Sequence, residues 1–175
     1  NIVGHNLIEH VPHHAINLSN NPGGRNILEY NLIRHACLEI NDTGAINSWM
    51  ELPASKDTER VGHIIRYNHI ADTFAFRASG GRVAKEKGWS NGIYLDNYTS
   101  NCTVYGNIVV RALNGLQLHA GKNNLIENNV FLRCGKTAGF GAWRDATMFQ
   151  EGGSWRMVEN LKAVRYDQPP YSTRY

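Results

Sequence analysis

The stretch that decides the fold covers residues 91–121 and reads NGIYLDNYTSNCTVYGNIVVRALNGLQLHAG. It begins and ends with a short strand pattern of apolar, polar and apolar residues, at 93–95 and at 116–118. A residue able to do chemistry follows each strand at once, Asp96 after the first and His119 after the second. Between them lies a turn, Tyr105-Gly106-Asn107-Ile108, that recurs along the chain. We interpret the stretch as one turn of a coil of short parallel strands.

Working outward from this stretch, the same pattern occurs five times, each copy aligned on one asparagine. The anchoring residues are Asn6, Asn31, Asn68, Asn107 and Asn129. Their separations are 25, 37, 39 and 22 residues, and a repeat with a period in the twenties is typical of a solenoid. The positions three before and two after each anchor are apolar in every copy, which predicts a shared core.

A third strand is expected to close each coil, at residues 15–18, 38–40, 93–95 and 116–118. Three short strands per coil with no helix between them predict an all-β fold, a parallel β-helix of about five coils. Equivalent residues of neighbouring coils then lie about 4.8 Å apart, so that each column becomes a ladder. We expect the five anchoring asparagines to be structural, because asparagine tolerates a left-handed corner and can bond to its own copies above and below.

Two insertions lengthen the coils, at residues 49–61 and 74–90, and both adjoin the predicted third strand. Loops of this length are usually functional, so the two would form the walls of a groove. The repeat is expected to end at residue 134. Residues 135–175 are then an irregular segment packed near the groove, with a short amphipathic helix at 155–164.

Composition and charge narrow the class of protein. The 175 residues are 42% apolar and 19% charged, with a formal net charge of +3 and scattered Lys and Arg, so we expect no nucleic-acid partner and no membrane span. Three cysteines in dissimilar settings predict free thiols. The chain begins with Asn and carries no signal peptide, so we interpret it as a fragment whose further coils and caps are missing.

A row of polar residues is expected on the outer face of the third strands. It consists of Asn17, Glu39, Tyr94 and Gln117, followed by Ser19, Asn41, Asp96 and His119. Asp42 and Asp96 would lie on neighbouring rungs, offset by one residue and about 5–9 Å apart. That spacing covers the carboxylate pairs of both retaining and inverting glycosidases. Two carboxylates so close can divide the work of acid and of base or nucleophile.

Further candidates surround this pair. Glu39 is an alternative acid, Asn41 and His119 are expected to contact substrate, and Tyr94, Gln117 and Trp49 are expected sugar contacts. Each aspartate can also be read as a turn residue that bonds its own backbone. His10 and His35 share one column but lack a third ligand, so we expect a stacked surface pair and no metal.

The motifs resemble a known group of proteins. NDTGAI at 41–46, HIIRYNHIAD at 63–72, GIYLDNYTSNCTVYGNIV at 92–109 and LQLHAGKNNLIENNVF at 116–131 resemble the right-handed parallel β-helix proteins of the pectate-lyase-like superfamily. The chain looks most like glycoside hydrolase family 141, large secreted bacterial enzymes that act on plant polysaccharide side chains and xylan-type backbones. The resemblance implies that Asp42 and Asp96 are the catalytic pair. Asn97 stands where such proteins often carry a second acidic residue.

The sequence therefore predicts a glycosidase that cleaves a polysaccharide or oligosaccharide of plant type, such as a pectin side chain or xylan, with no cofactor. By the resemblance it would be secreted or periplasmic in a bacterium. One alternative is a polysaccharide lyase, in which the acidic row holds Ca²⁺ and Lys or Arg is the base. Another is a non-catalytic β-helical segment that binds carbohydrate or serves a structural role.

Overall fold

The computed structural model describes residues 1–19, 24–50, 62–75, 77–79, 82–84, 89–97, 99–119, 121, 123–141, 165 and 168. These residues form strands and turns, and none of them belongs to a helix, least of all one long and apolar enough to cross a membrane. The helix expected at 155–164 lies outside the described residues, as do residues 51–61 of the first insertion.

The described residues form five successive coils, in each of which three parallel strands follow one another around the axis. Coil 1 contains β1 (Ile2–Gly4), β2 (Leu7–Glu9) and β3 (Ile16–Asn17), and coil 2 contains β4 (Ile27–Glu29), β5 (Leu32–Arg34) and β6 (Thr43–Met50). Coil 3 contains β7 (Ile64–Arg66), β8 (His69–Thr73), a hairpin of β9 (Arg77–Ser79) and β10 (Arg82–Ala84), and β11 (Ser90–Asn97). Coil 4 contains β12 (Thr103–Tyr105), β13 (Ile108–Ala112) and β14 (Asn114–His119), and coil 5 contains β15 (Leu125–Glu127), β16 (Val130–Leu132) and β17 (Lys136–Gly141).

The strands of successive coils pair in parallel and build three five-stranded sheets. The first sheet is β1-β4-β7-β12-β15, the second is β2-β5-β8-β13-β16, and the third is β3-β6-β11-β14-β17. Only the hairpin β9–β10 is antiparallel among the described strands, and it interrupts the second insertion. The predicted parallel β-helix is confirmed.

The five anchoring asparagines form the ladder that the repeat predicts. Each side-chain Nδ2 donates to Oδ1 of the next asparagine at 2.9 Å, from Asn6 through Asn31, Asn68 and Asn107 to Asn129. The left-handed conformation, with φ between 52° and 65°, belongs to the residue before each anchor, whereas the sequence predicts it for the asparagine itself. The ladder fixes this sharp corner between the first and second sheets. The apolar columns on either side of it fill the core, where Leu28, Ile33, Ile65 and Ile70 are completely buried.

The third strand of coil 2 differs from the prediction. Residues 38–42 form a corner and the strand is Thr43–Met50, so the assignment to 38–40 is wrong. Cys37 and Asp42 have φ of 63° and 57°, and the N–H groups of Leu38 and Glu39 donate to residues of coil 1 rather than along the third sheet. Leu38-Glu39-Ile40 has the apolar-polar-apolar pattern of a strand. In the third sheet, however, the coil 2 side chain that pairs with Ile16 and faces the core is Ile46.

Two further boundaries move. β17 pairs with β14, so the coils continue to Gly141, whereas the sequence predicts their end at residue 134. The sequence predicts that Trp49 and Ser90 are end residues of the two insertions, but they belong to strands β6 and β11. Other expectations are confirmed: His10 and His35 stack with ring centroids 4.9 Å apart, and all three cysteines are free thiols.

Candidate active site

The register of the third sheet determines which side chains share its outer face. Asn17, Asn47, Tyr94, Gln117 and Gly139 form one column. Two residues further along each strand, Asp96 pairs with Trp49, and His119 pairs with Gly141. The observed row therefore contains Asn47 and Trp49 where the sequence predicts Glu39 and Asn41.

The sequence predicts that Asp42 and Asp96 lie on neighbouring rungs with an offset of one residue. They do belong to neighbouring coils, but the offset of one residue is wrong. Trp49 is the partner of Asp96, and Asp42 precedes Trp49 by seven positions, before β6 begins. The two carboxylates nevertheless interact with the same group, the phenol of Tyr94. Its hydroxyl donates to Asp42 Oδ1 at 3.3 Å, and the negative charge of Asp96 also acts on it.

Tyr94 is buried, and this burial determines how its hydroxyl behaves. Burial, and then the negative charges of Asp96 and Asp42, raise the pKa of the phenol far above its usual range. The phenol therefore remains protonated and acts as a hydrogen-bond donor toward the carboxylates.

Gly44 explains how a residue before β6 comes within reach of Tyr94. A Cβ atom at Gly44 would lie 2.7 Å from Tyr94 Cβ and 3.3 Å from Tyr94 N, so the two chains approach more closely here than a side chain allows. Asp42 is two residues before this contact and has positive φ of 57°. The corner thus turns the Asp42 carboxylate back toward the Tyr94 ring.

Asp96 is held from a second direction by coil 4. Its Oδ1 atom accepts from the backbone N–H of Asn97 at 2.7 Å and lies 2.8 Å from His119 Nδ1. The side chains of Asp96 and His119 are 17% and 20% exposed, so water only partly screens the pair. The arrangement fixes the Asp96 carboxylate and leaves the imidazole at the surface of the site.

His14 supports the site from coil 1. Its Nδ1 atom lies 3.1 Å from Gly44 O and 3.0 Å from Thr43 Oγ1, so it holds the backbone of the corner. Burial lowers the pKa of His14, although its contact with Gly44 O and the charge of Asp96 act in the opposite direction. No sequence pattern indicates this role, because His14 lies outside the predicted strands.

A cavity of about 710 Å³ adjoins this group of side chains. Gln117 and Gly141, the register partners of Tyr94 and His119, line it together with Trp89. Trp89 belongs to the second insertion, and its backbone N–H donates to Asn41 Oδ1. This contact holds the indole beside the corner that carries Asp42.

The sequence-predicted residues divide into two sets. The structure brings together Asp42, Asp96, Tyr94 and His119, with Trp49 next to Asp96 and Gln117 in the cavity wall. Glu39 is displaced onto the corner, where its N–H donates to Pro12 O, and Asn41 contacts Trp89. Sequence reasoning missed Gly44 and His14, and it named Trp89 only as part of an insertion.

The described residues contain no group of three or more His, Cys, Asp or Glu side chains placed to hold a metal ion. No protein-family model, no curated protein and no solved structure matches the chain.

Proposed function

We propose that this chain carries the active site of a glycoside hydrolase that cleaves a plant-type polysaccharide, such as a pectin side chain or xylan. Asp42 and Asp96 provide the two carboxyl groups of the reaction. The resemblance of its motifs to glycoside hydrolase family 141 supports the same activity and a secreted or periplasmic location.

The observation that carries this proposal is that the Tyr94 hydroxyl donates to Asp42 while the negative charge of Asp96 acts on the same phenol. Glycosidases place their two carboxyl groups about 5–5.5 Å apart when they retain the anomeric configuration and about 6.5–9.5 Å apart when they invert it. We infer that Asp42 and Asp96, which act on one phenol, lie within these ranges.

Hydrogen bonding suggests how the roles divide. Asp96 Oδ1 accepts from the N–H of Asn97 and is close to His119 Nδ1, so it is held as an acceptor and suits the base or nucleophile. Asp42 is exposed on the corner beside Trp89, where it can reach a leaving-group oxygen as the general acid. Trp49 lies next to Asp96 and offers an indole surface to a sugar ring.

The test combines product chemistry with two single variants. Hydrolysis creates reducing ends without new ultraviolet absorbance. We expect D42N and D96N each to lower kcat at least about 100-fold, because positioned acid and base groups typically contribute 10²–10⁴-fold. Circular dichroism should not change.

Asp72→Asn is the matched control, because Asp72 pairs with Arg111 on the second sheet and lies away from the third-sheet site. It should retain wild-type turnover. Variants of Asp42 and Asp96 that keep the turnover of D72N would contradict the proposal.

A polysaccharide lyase is the second candidate, and the contact between His119 and Asp96 favours it. A histidine oriented by a carboxylate can accept the proton that β-elimination removes from the sugar. Lyase action yields an unsaturated product that absorbs ultraviolet light, and dependence on Ca²⁺ would appear as inhibition by a chelator. A non-catalytic carbohydrate-binding segment would bind oligosaccharides and yield neither product.

A further inference from the structure

The cavity extends the candidate site along the axis of the coils. Thr43 pairs with Ser90, so Asp42 and Trp89 immediately precede paired residues on coils 2 and 3. Asn91 pairs with Asn114, and Asn114 pairs with Lys136, which continues the same edge of the third sheet over coils 4 and 5. Trp89, Asn114 and Lys136 all line the cavity. A binding track therefore runs from Asp42 to Lys136, across three rungs or about 14 Å.

The chemistry changes along this track. Its coil 2 end carries the Asp42 carboxylate, which accepts from Tyr94, and the Asp96 carboxylate of coil 3 acts on the same phenol. Trp89 follows with an indole that is 45% exposed, a surface on which a sugar ring can stack. The coil 5 end carries Lys136, the one charged side chain among the described residues that line the cavity. The track is thus negative at the reacting end and positive at the far end.

We propose that this cavity is a subsite for an acidic sugar, a uronate whose carboxylate pairs with Lys136 while the chain runs along the coils toward Asp42. The inference rests on the proposed hydrolase and names its substrate class. A polymer with a carboxylate on every unit would place a negative charge beside Asp42 and Asp96. The negative charge at one end of the track and the positive charge at the other therefore favour a polysaccharide that has a neutral sugar at the cleaved bond and an acidic sugar further along.

Binding is measured on the D96N variant, so that cleavage does not consume the probe. Two probes carry both kinds of sugar: a xylo-oligosaccharide with one glucuronate branch, and an oligosaccharide of alternating rhamnose and galacturonate. Each is compared with its own carboxyl-reduced, neutral form by calorimetry at low salt. At least one acidic probe should bind about tenfold more tightly than its neutral form, as expected for one charge-assisted contact.

Lys136→Gln should remove this preference and leave the affinity for the neutral form unchanged. Arg133→Gln is the matched control, because Arg133 is an exposed cation on coil 5 that does not line the cavity. It should keep the preference. Equal affinity of acidic and neutral forms for both probes, or a preference that survives K136Q, would overturn the subsite.

Failure of the hydrolase proposal is recognised separately. Wild-type protein that releases no reducing ends, yet binds the acidic probe through Lys136, disproves hydrolysis and supports the subsite. Wild-type protein that cleaves the polymers without preferring the acidic forms supports hydrolysis and disproves the subsite.

Discussion

At the scale of single residues, Tyr94 organises the site, because its buried hydroxyl interacts with both carboxylates. The sequence identified Asp42 and Asp96 as candidates from their positions beside strands. It could not provide the reason they meet. That reason is the close approach of Gly44 to Tyr94 at a corner, a contact between chain segments fifty residues apart that no local pattern encodes.

Tyr94→Phe removes the hydroxyl that donates to Asp42 and keeps the ring. We expect kcat to fall about 10- to 100-fold, since a hydrogen bond to a charged group contributes roughly 1.5–3 kcal/mol. KM should change little, because the hydroxyl faces the carboxylates rather than the sugar. The rate-versus-pH profile should shift as well, since Asp42 loses its donor and the polar group between the two carboxylates is gone.

Tyr30→Phe is the control, since Tyr30 stacks with His5 and Tyr67 on an exposed corner away from the third sheet. A Y94F variant whose rate and pH profile match those of Y30F would show that the phenol has no part in the reaction.

At the scale of elements, the corners were the most predictable feature, because one asparagine per coil marks them. The position of the third strand of coil 2 could not be predicted in this way. Leu38-Glu39-Ile40 has the alternation of a strand, and only the register of β6 with its neighbours shows that Ile46 occupies the core column. A stacked fold is decided by pairing between coils, so a three-residue pattern cannot determine which segment pairs.

The ladder predicts a stability gradient. Asn68 is buried and bonds Asn107 Oδ1 and Leu28 O, while it accepts from Asn31. Asn68→Ala leaves these partners unsatisfied, and we expect it to lower the free energy of unfolding by about 3 kcal/mol or more. Asn6→Ala, at the exposed end of the same ladder, should cost less than half as much in urea denaturation. Equal losses for the two variants would contradict the ladder account.

His63 makes the fold sensitive to acid. It is fully buried, and its Nδ1 atom is 3.3 Å from both the N–H and the Nδ2 of Asn26, in a column that Asn1 also joins. Burial lowers its pKa from 6.5 to about 4. The unfolded chain therefore binds the proton first, so this stability is complete above pH 6.5 and is lost as the pH falls toward 4.

Over that range the loss attributable to His63 is about 3 kcal/mol. His63→Asn keeps an acceptor of the kind that the column already uses and should flatten the pH dependence of the midpoint of denaturation. His69→Asn, exposed on the second sheet, should not. An acid sensitivity that is identical in H63N and wild type would rule out this origin.

At the scale of the whole molecule, the parallel β-helix and the number of coils followed from the repeat alone. The end of the repeat could not be predicted from it, because Lys136–Gly141 reads KTAGFG and lacks the apolar alternation of a strand. Its glycines have a structural cause: a Cβ at Gly139 would clash with Gln117, and one at Gly141 would lie 2.9 Å from His119 Cδ2. The side chains of the row on coil 4 occupy space that coil 5 leaves open.

The central claim is that Asp42 and Asp96 act together on a glycosidic bond, and a double-variant cycle of reducing-end release tests it most directly. Groups that act as one unit are strongly non-additive, so once either is lost the second substitution has little left to remove. We predict that D42N/D96N is no more than a few-fold slower than the slower single variant. Multiplicative losses in the double variant, or single variants that turn over at the wild-type rate, would contradict it.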